Sequence, residues 1–297
     1  MKLLAVFLFV LLTFRAHGSE AISVVVPASQ SIHDTRYTDL MELLTVALDK
    51  TTARFGAYSL SEAPFVMSEA RYIVELRRKD SVVNVIWSST SKDKEADFIP
   101  IRIPLRKGLL GYRISLIAKD SQSKFDNLKT LDDLRGLTVG QGLGWGDVAL
   151  YEKNGFHVIT ASSYDGLFKM LVQRRFDHFP RGINEVFPEY KTRRDDLPYL
   201  AIEQQTLIYY PWSYYFFVSR YAPELAQRIE VGLTLMIADK SFDEIFFKHH
   251  GKAIKDARLT ERRTFLLDNP FLPTETPLEN KALWYDPLGL MSHYQYN

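Results

Sequence analysis

The sequence predicts an α/β protein, and three observations lead there. Short β-branched runs that stop at loops alternate with segments whose apolar residues recur at helical spacing, which is the order of a sheet covered by helices. The alternation occurs twice, with a second β/α block opening near residue 114. The 297 residues are 46% hydrophobic and 25% charged, a composition that buries a core and suits about two domain-sized units.

Residues 1–18 stand apart from this pattern. Lys2, the apolar run Leu3 to Phe14 and the small residues of Ala16-His17-Gly18 have the layout of a cleaved signal peptide. About twelve apolar residues are too few for a bilayer span, which needs ~20. With no cysteine there is no site for a lipid anchor, and disulfides, Cys-ligated zinc, thiol nucleophiles and iron–sulfur clusters are excluded together. Removing the leader takes Lys+Arg from 37 to 35 against 36 acids, a net charge of −1. A freely soluble periplasmic protein that is not a lipoprotein is expected. The balanced charge offers no basic field for nucleic acid, and a mean hydropathy of −0.14 excludes a polytopic membrane protein.

Along the mature chain, Ile22–Pro27 reads as a buried strand because it is β-branched and ends at proline. A polar loop with Gln30, His33 and Arg36 follows, then a helix over 38–50 with Leu40, Leu43, Leu44, Ala47 and Leu48 on one stripe. Ser68 is placed to cap a helix over 68–79, with Ile73, Val74 and Leu76 inward. Val82–Trp87 is the next strand, and Ser88-Ser89-Thr90-Ser91 the loop leaving its end. In the second block, strands are expected at 114–118, 137–140, 157–159 and 176–179, and helices at 131–134, 147–154 and 164–175. The aromatic run 207–218 reads as one strand, followed by helices over 223–238 and 241–250. The tail 268–297 holds four of the 13 prolines and reads as an extended strap.

In order, Val83–Glu95, Gly111–Ile117, Leu131–Gly140, Tyr164–Leu171 with Arg175-Phe176-Asp177, Ala222–Leu225 and Ser241–Phe246 resemble the type II periplasmic solute-binding proteins of extracellular family 3, whose members include the polar amino-acid binders. The resemblance implies a two-lobed fold, each lobe a mostly parallel sheet flanked by helices, joined by two hinge strands. It places the signal peptide at 1–18, lobe 1 at 19–110 and 211–297, and lobe 2 at 111–210. It also implies a monomer whose ligand sits between the lobes, no cofactor, and an ABC transporter permease or a membrane sensor as partner. The relatives' carboxylate-gripping arginine has no counterpart in Lys94-Glu95-Ala96. Their helix-start hydroxyls are replaced by Leu143-Gly144-Trp145-Gly146, and their lobe 2 aspartate falls at Pro180-Arg181-Gly182. These three departures argue against a standard free α-amino acid.

The ligand-binding candidates are Trp87, Ser88, Ser89, Thr90, Arg102, Gly142, Trp145, Arg181, Asn184, Glu185 and Tyr210. The hydroxyls after the buried strand supply donors and acceptors at a cleft. Gly140–Gly146 fits neither G-x-G-x-x-G nor a P-loop and reads as a turn opening on the helix near Asp147. Arg181, Asn184 and Glu185 start a helix after a short strand, where Arg181 and Glu185 also suit an i,i+4 pair. His249 and His250 read as a helix end beside Gly251. No motif sets a nucleophile beside its base, so capture of a small polar solute without covalent chemistry is expected. The alternatives are a dehydratase-like enzyme on the same fold, with Glu185 paired to His178 or His33, and an interaction or sensor module with a vestigial cleft.

Overall fold

The computed structural model describes residues 21–29 and 37–294; the leader at 1–18 and His33 lie outside them. β1 (Ile22–Val26) leads to α1 (Thr38–Lys50), α2 (Thr52–Phe55), β2 (Tyr58–Glu62), α3 (Glu69–Leu76), β3 (Val85–Ser89), α4 (Lys92–Asp97) and β4 (Ile99–Ile101). The second block comprises β5 (Tyr112–Ala118), α5 (Gln122–Asp126), α6 (Leu131–Arg135), β6 (Val139–Gly142), α7 (Gly146–Lys153), β7 (Val158–Ala161), α8 (Tyr164–Val172), β8 (His178–Gly182), α9 (Ile183–Arg193), β9 (Leu200–Ile202) and β10 (Thr206–Tyr209). β11 (Tyr214–Val218), α10 (Pro223–Ala238), α11 (Ser241–Ala257) and β12 (Arg263–Leu266) complete the described elements.

Two small sheets form the first unit. β1 and β2 pair in parallel, and β3 and β4 flank β11 antiparallel. Asn84 joins them: its N–H donates to Val25 O (2.9 Å), its Nδ2 to Ser23 O (2.7 Å), and its Oδ1 accepts from Val25 N (2.8 Å). One side chain thus replaces a ladder between β1 and β3. The expected stripe of α1 is buried and packs on α10, close enough that a Cβ on Gly232 would stand 2.2 Å from the Ala47 carbonyl oxygen. In α3, Tyr72 and Leu76 face the core, whereas Val74, expected inward, is 57% exposed. The aromatic ring has the reach to fill that gap.

The second unit is a seven-stranded sheet in the order β12-β10-β5-β8-β6-β7, with β9 also on β5. Parallel pairing holds within each β/α block, at β1–β2, β6–β7 and β6–β8, and between β10 and β12. Among the described residues every antiparallel pair involves β5 or β11, the strands that the chain enters on crossing between units. The 207–218 run is accordingly two strands in different sheets, broken at Tyr210–Ser213 where Pro211 cannot donate to a ladder. The two crossings touch: a Cβ on Gly111 would meet the Tyr210 carbonyl oxygen at 2.1 Å.

The tail does not stay with the first unit throughout. β12 pairs with β10, and Phe265 and Leu267 bury against Ile208 and Tyr210 because an apolar sheet edge was open there. Beyond it the chain straps the crossings. Lys107 Nζ donates to Ala282 O (2.7 Å), Tyr112 OH to Tyr285 O (2.8 Å) and Tyr294 OH to Leu267 O (2.9 Å), while Trp284 lies over Gly108. α11 runs seven residues past its expected end, so His249 and His250 are interior to it, bonded to Glu42 (2.7 Å) and Asp39 (3.1 Å). Gly251 costs helix stability without breaking the helix. Among the described residues no helix is long and apolar enough to cross a membrane.

Candidate functional site

β1, β2 and β3 end at one side of the first unit, where open α/β sheets characteristically hold ligands. A cavity of about 420 Å³ lies there, lined by Pro27, Ala28 and Ser29 after β1, Glu62 at the end of β2, Met67, Glu69 and Tyr72 around α3, Tyr37 just before α1, Thr38 and Met41 on α1, and Trp87 on β3. The Trp87 and Tyr37 rings are 5.2 Å apart. Trp87 is 3% exposed and its indole Nε1 has no partner. Such an orphaned donor is costly unless something outside the chain satisfies it.

Of the predicted residues, Trp87 lines the cavity and Ser88 lies behind it. Ser88 Oγ donates to Glu69 Oε1 (2.6 Å) and accepts from Lys94 Nζ (2.7 Å). Lys94 also donates to the Ser89 carbonyl (2.7 Å) and Ser89 Oγ (3.3 Å). Burial lowers the basicity of this ammonium, with Glu69 opposing the shift. Sequence reasoning passed over Lys94 because it sought an arginine. The available signal was Ser91, whose Oγ accepts from Lys94 N (3.3 Å) to cap α4. A residue one turn inside a helix leans back toward its N-terminus, here onto the Ser88–Ser89 loop. Thr90 Oγ1 donates to Glu95 (2.6 Å), and Arg102 pairs with the same carboxylate (2.7 Å) away from the cavity. Glu62 and Glu69 were not predicted either; Glu69 reads in sequence as an ordinary first-turn acid of α3.

The other predicted residues gather on the second unit. Arg181 is 6% exposed, bonded through Nε and Nη2 to Glu189 (2.7–3.1 Å) and paired with Glu185 (3.1 Å). Its guanidinium lies 4.9 Å from the Trp145 ring centroid and 5.0 Å from that of Phe179. Glu185 accepts from Gly182 N (2.9 Å) and faces Arg113 at 3.7 Å. Burial opposes its ionisation, but Arg181 and Arg113 outweigh this and hold its carboxyl below the usual range. Tyr210 OH donates to Asp147, which also pairs with Arg113 (2.8 Å). Gly142 is required by Trp145, whose indole would lie 2.2 Å from a Cβ there. Asn184 Oδ1 and Arg113 Nε are buried without a partner. The anion-binding turn expected at Gly140–Gly146 thus has a carboxylate of the chain itself, Asp147, in the first turn of α7.

Arg106, beside the first crossing, pairs with Asp39 (2.6 Å), which His250 also reaches. Burial opposes the ionised Asp39, yet Arg106 and His250 hold its pKa far below the carboxylate range. The acid–base pair considered between Glu185 and His178 does not form. His178 is fully buried, its Nδ1 on Ser115 Oγ (2.9 Å) and its ring edge-on to Phe125. It stands four residues down β8 from Gly182, roughly 13 Å along the strand. Among the described residues no cluster of three His, Asp or Glu could hold a metal ion.

No protein-family model matches the chain, and no curated protein matches it. Among solved structures, an ancestral arginine-binding protein with bound arginine superposes with a TM-score of 0.53 at 18% identity, covering 78% of this chain and 99% of its own. A Salmonella typhimurium periplasmic binding protein of high arginine specificity gives 0.54 at 15% identity, over 77% and 99%. A Streptococcus mutans structure from work on glutathione import through a cystine ABC importer gives 0.53 at 12%, over 78% and 96%. The fold is the two-lobed one of the periplasmic binding proteins.

Proposed function

We propose that this chain is an exported solute-binding protein that captures a small polar solute for ABC-type uptake or for sensing. The observation that carries the reading is the cavity of about 420 Å³ at the carboxyl ends of β1, β2 and β3. Its size is that of a small-molecule site, and it lies at the carboxyl ends of strands, where open α/β sheets generally hold ligands. In this reading residues 1–18 are a signal peptide and the mature protein is periplasmic. Lobe 1 (19–110 and 211–297, apart from β12 on the lobe 2 sheet) offers Trp87, backed by Ser88 and Ser89. Lobe 2 (111–210) closes on the guest with Gly142, Trp145, Arg181, Asn184, Glu185 and Tyr210. Closure about the crossings at Leu109–Tyr112 and Tyr209–Tyr214 shifts a population toward the state that holds solute better. The protein purified without denaturation should carry a small molecule in native mass spectrometry. A metabolite present at 100 times its dissociation constant should stabilise the fold by about 2.7 kcal/mol. If no pool of a broad metabolite set raises the melting temperature, the reading fails.

A further inference from the structure

Given that the chain captures a solute, we infer that the cavity selects an organic cation with an apolar body and no carboxylate of its own. Glu62 and Glu69 both line the cavity, and the described residues that line it include no lysine, arginine or histidine. Each carboxylate keeps accepting capacity. Ser29 occupies one lone pair on each Glu62 oxygen (3.1 and 2.6 Å), and Ser88 Oγ donates to Glu69 Oε1 (2.6 Å). Among the described lining residues a guest carboxylate would therefore meet two like charges.

Lys94 does not answer it. Its ammonium is turned onto Ser88 and Ser89 behind the wall, and burial weakens its basicity. The remaining walls suit a cation. Tyr37, Tyr72 and Trp87 present aromatic rings, and Met41 and Met67 add polarizable thioethers. The best guest is thus an amine or guanidine on an apolar or aromatic frame.

Calorimetric titration of amines beside their parent amino acids tests this: tyramine and tyrosine, isopentylamine and leucine, agmatine and arginine. At least one amine should bind tenfold or more tightly than its parent. Glu69→Gln and Glu62→Gln, each with unchanged circular dichroism, should weaken that amine tenfold or more. Parent amino acids binding as tightly as their amines, or glutamine variants that keep full affinity, overturn the inference and leave solute capture standing. Silence of every amine overturns it even if a sugar or dicarboxylate binds. Silence of every class defeats solute capture itself.

Discussion

His178 shows how a single buried residue ties the second unit to pH. The imidazole is fully enclosed, and burial pushes its pKa from 6.5 down to about 4, with Asp177 opposing. The unfolded ring binds its proton near pH 6.5 and the folded ring only near 4. Stability is therefore complete above pH 6.5 and falls as pH drops toward 4, by about 3 kcal/mol over the full interval. His250, also lowered by burial, adds to the same slope. Urea midpoints of the wild type should fall between pH 7 and pH 4.5. They should fall less in His178→Gln, which keeps a hydrogen-bonding atom for Ser115. Equal losses in the two proteins would contradict this. The neighbouring charges behave differently because they are paired. Breaking the Asp39–Arg106 bridge with Asp39→Asn takes the counter-charge from a buried guanidinium, and the expected cost is about 3–5 kcal/mol.

At the scale of elements, Asn84 carries the continuity of the first unit. It makes three hydrogen bonds to the backbone of β1 in place of a strand ladder. Asn84→Ala removes the two side-chain bonds and should cost about 2–3 kcal/mol, read as a shift of the denaturation midpoint without a change of slope. The helices were the legible part of this architecture. Thr38–Lys50 and Pro223–Ala238 fall on their expected bounds because a single face is buried and the apolar period is strong. β2 escaped notice since Tyr58–Glu62 is a half-exposed edge whose residues are largely polar, and β4 is only three residues long. The aromatic run 207–218 could not reveal its own division, because a buried strand and a buried crossing share one composition. Pro211 was the local signal. At the candidate site, the shift from apolar to hydroxyl residues reads as a strand ending at Trp87, whereas β3 runs on through Ser88 and Ser89, which pair with Tyr215 and Tyr214. Glu69 and Lys94 were not legible, because helix N-termini carry such residues for structural reasons as well.

Across the whole molecule, the two units are held at three places. The crossings abut at Gly111 and Tyr210, α9 packs on α11, and the tail binds both sides of the hinge region. Asn154 at the end of α7 donates to Asp268 O (2.8 Å), and Asn269 Nδ2 donates to Pro211 O (2.9 Å), so the strap engages the second unit before turning back over Lys107, Gly108 and Tyr112. Its Trp284 and Met291 are nearly fully buried, which makes the tail part of the core. Deleting residues 270–297 should lower the melting temperature by several degrees, since losing even one such aromatic costs about 3–5 kcal/mol. Unchanged melting would show the strap to be dispensable.

The central claim concerns the space at the carboxyl ends of β1, β2 and β3. A crystal structure of protein purified without denaturation examines that space directly. Density for one small molecule is expected against Trp87 and Tyr37, with a positively charged nitrogen on Glu69 or Glu62. A cavity filled by the chain's own side chains, or a guest seated elsewhere, would contradict it.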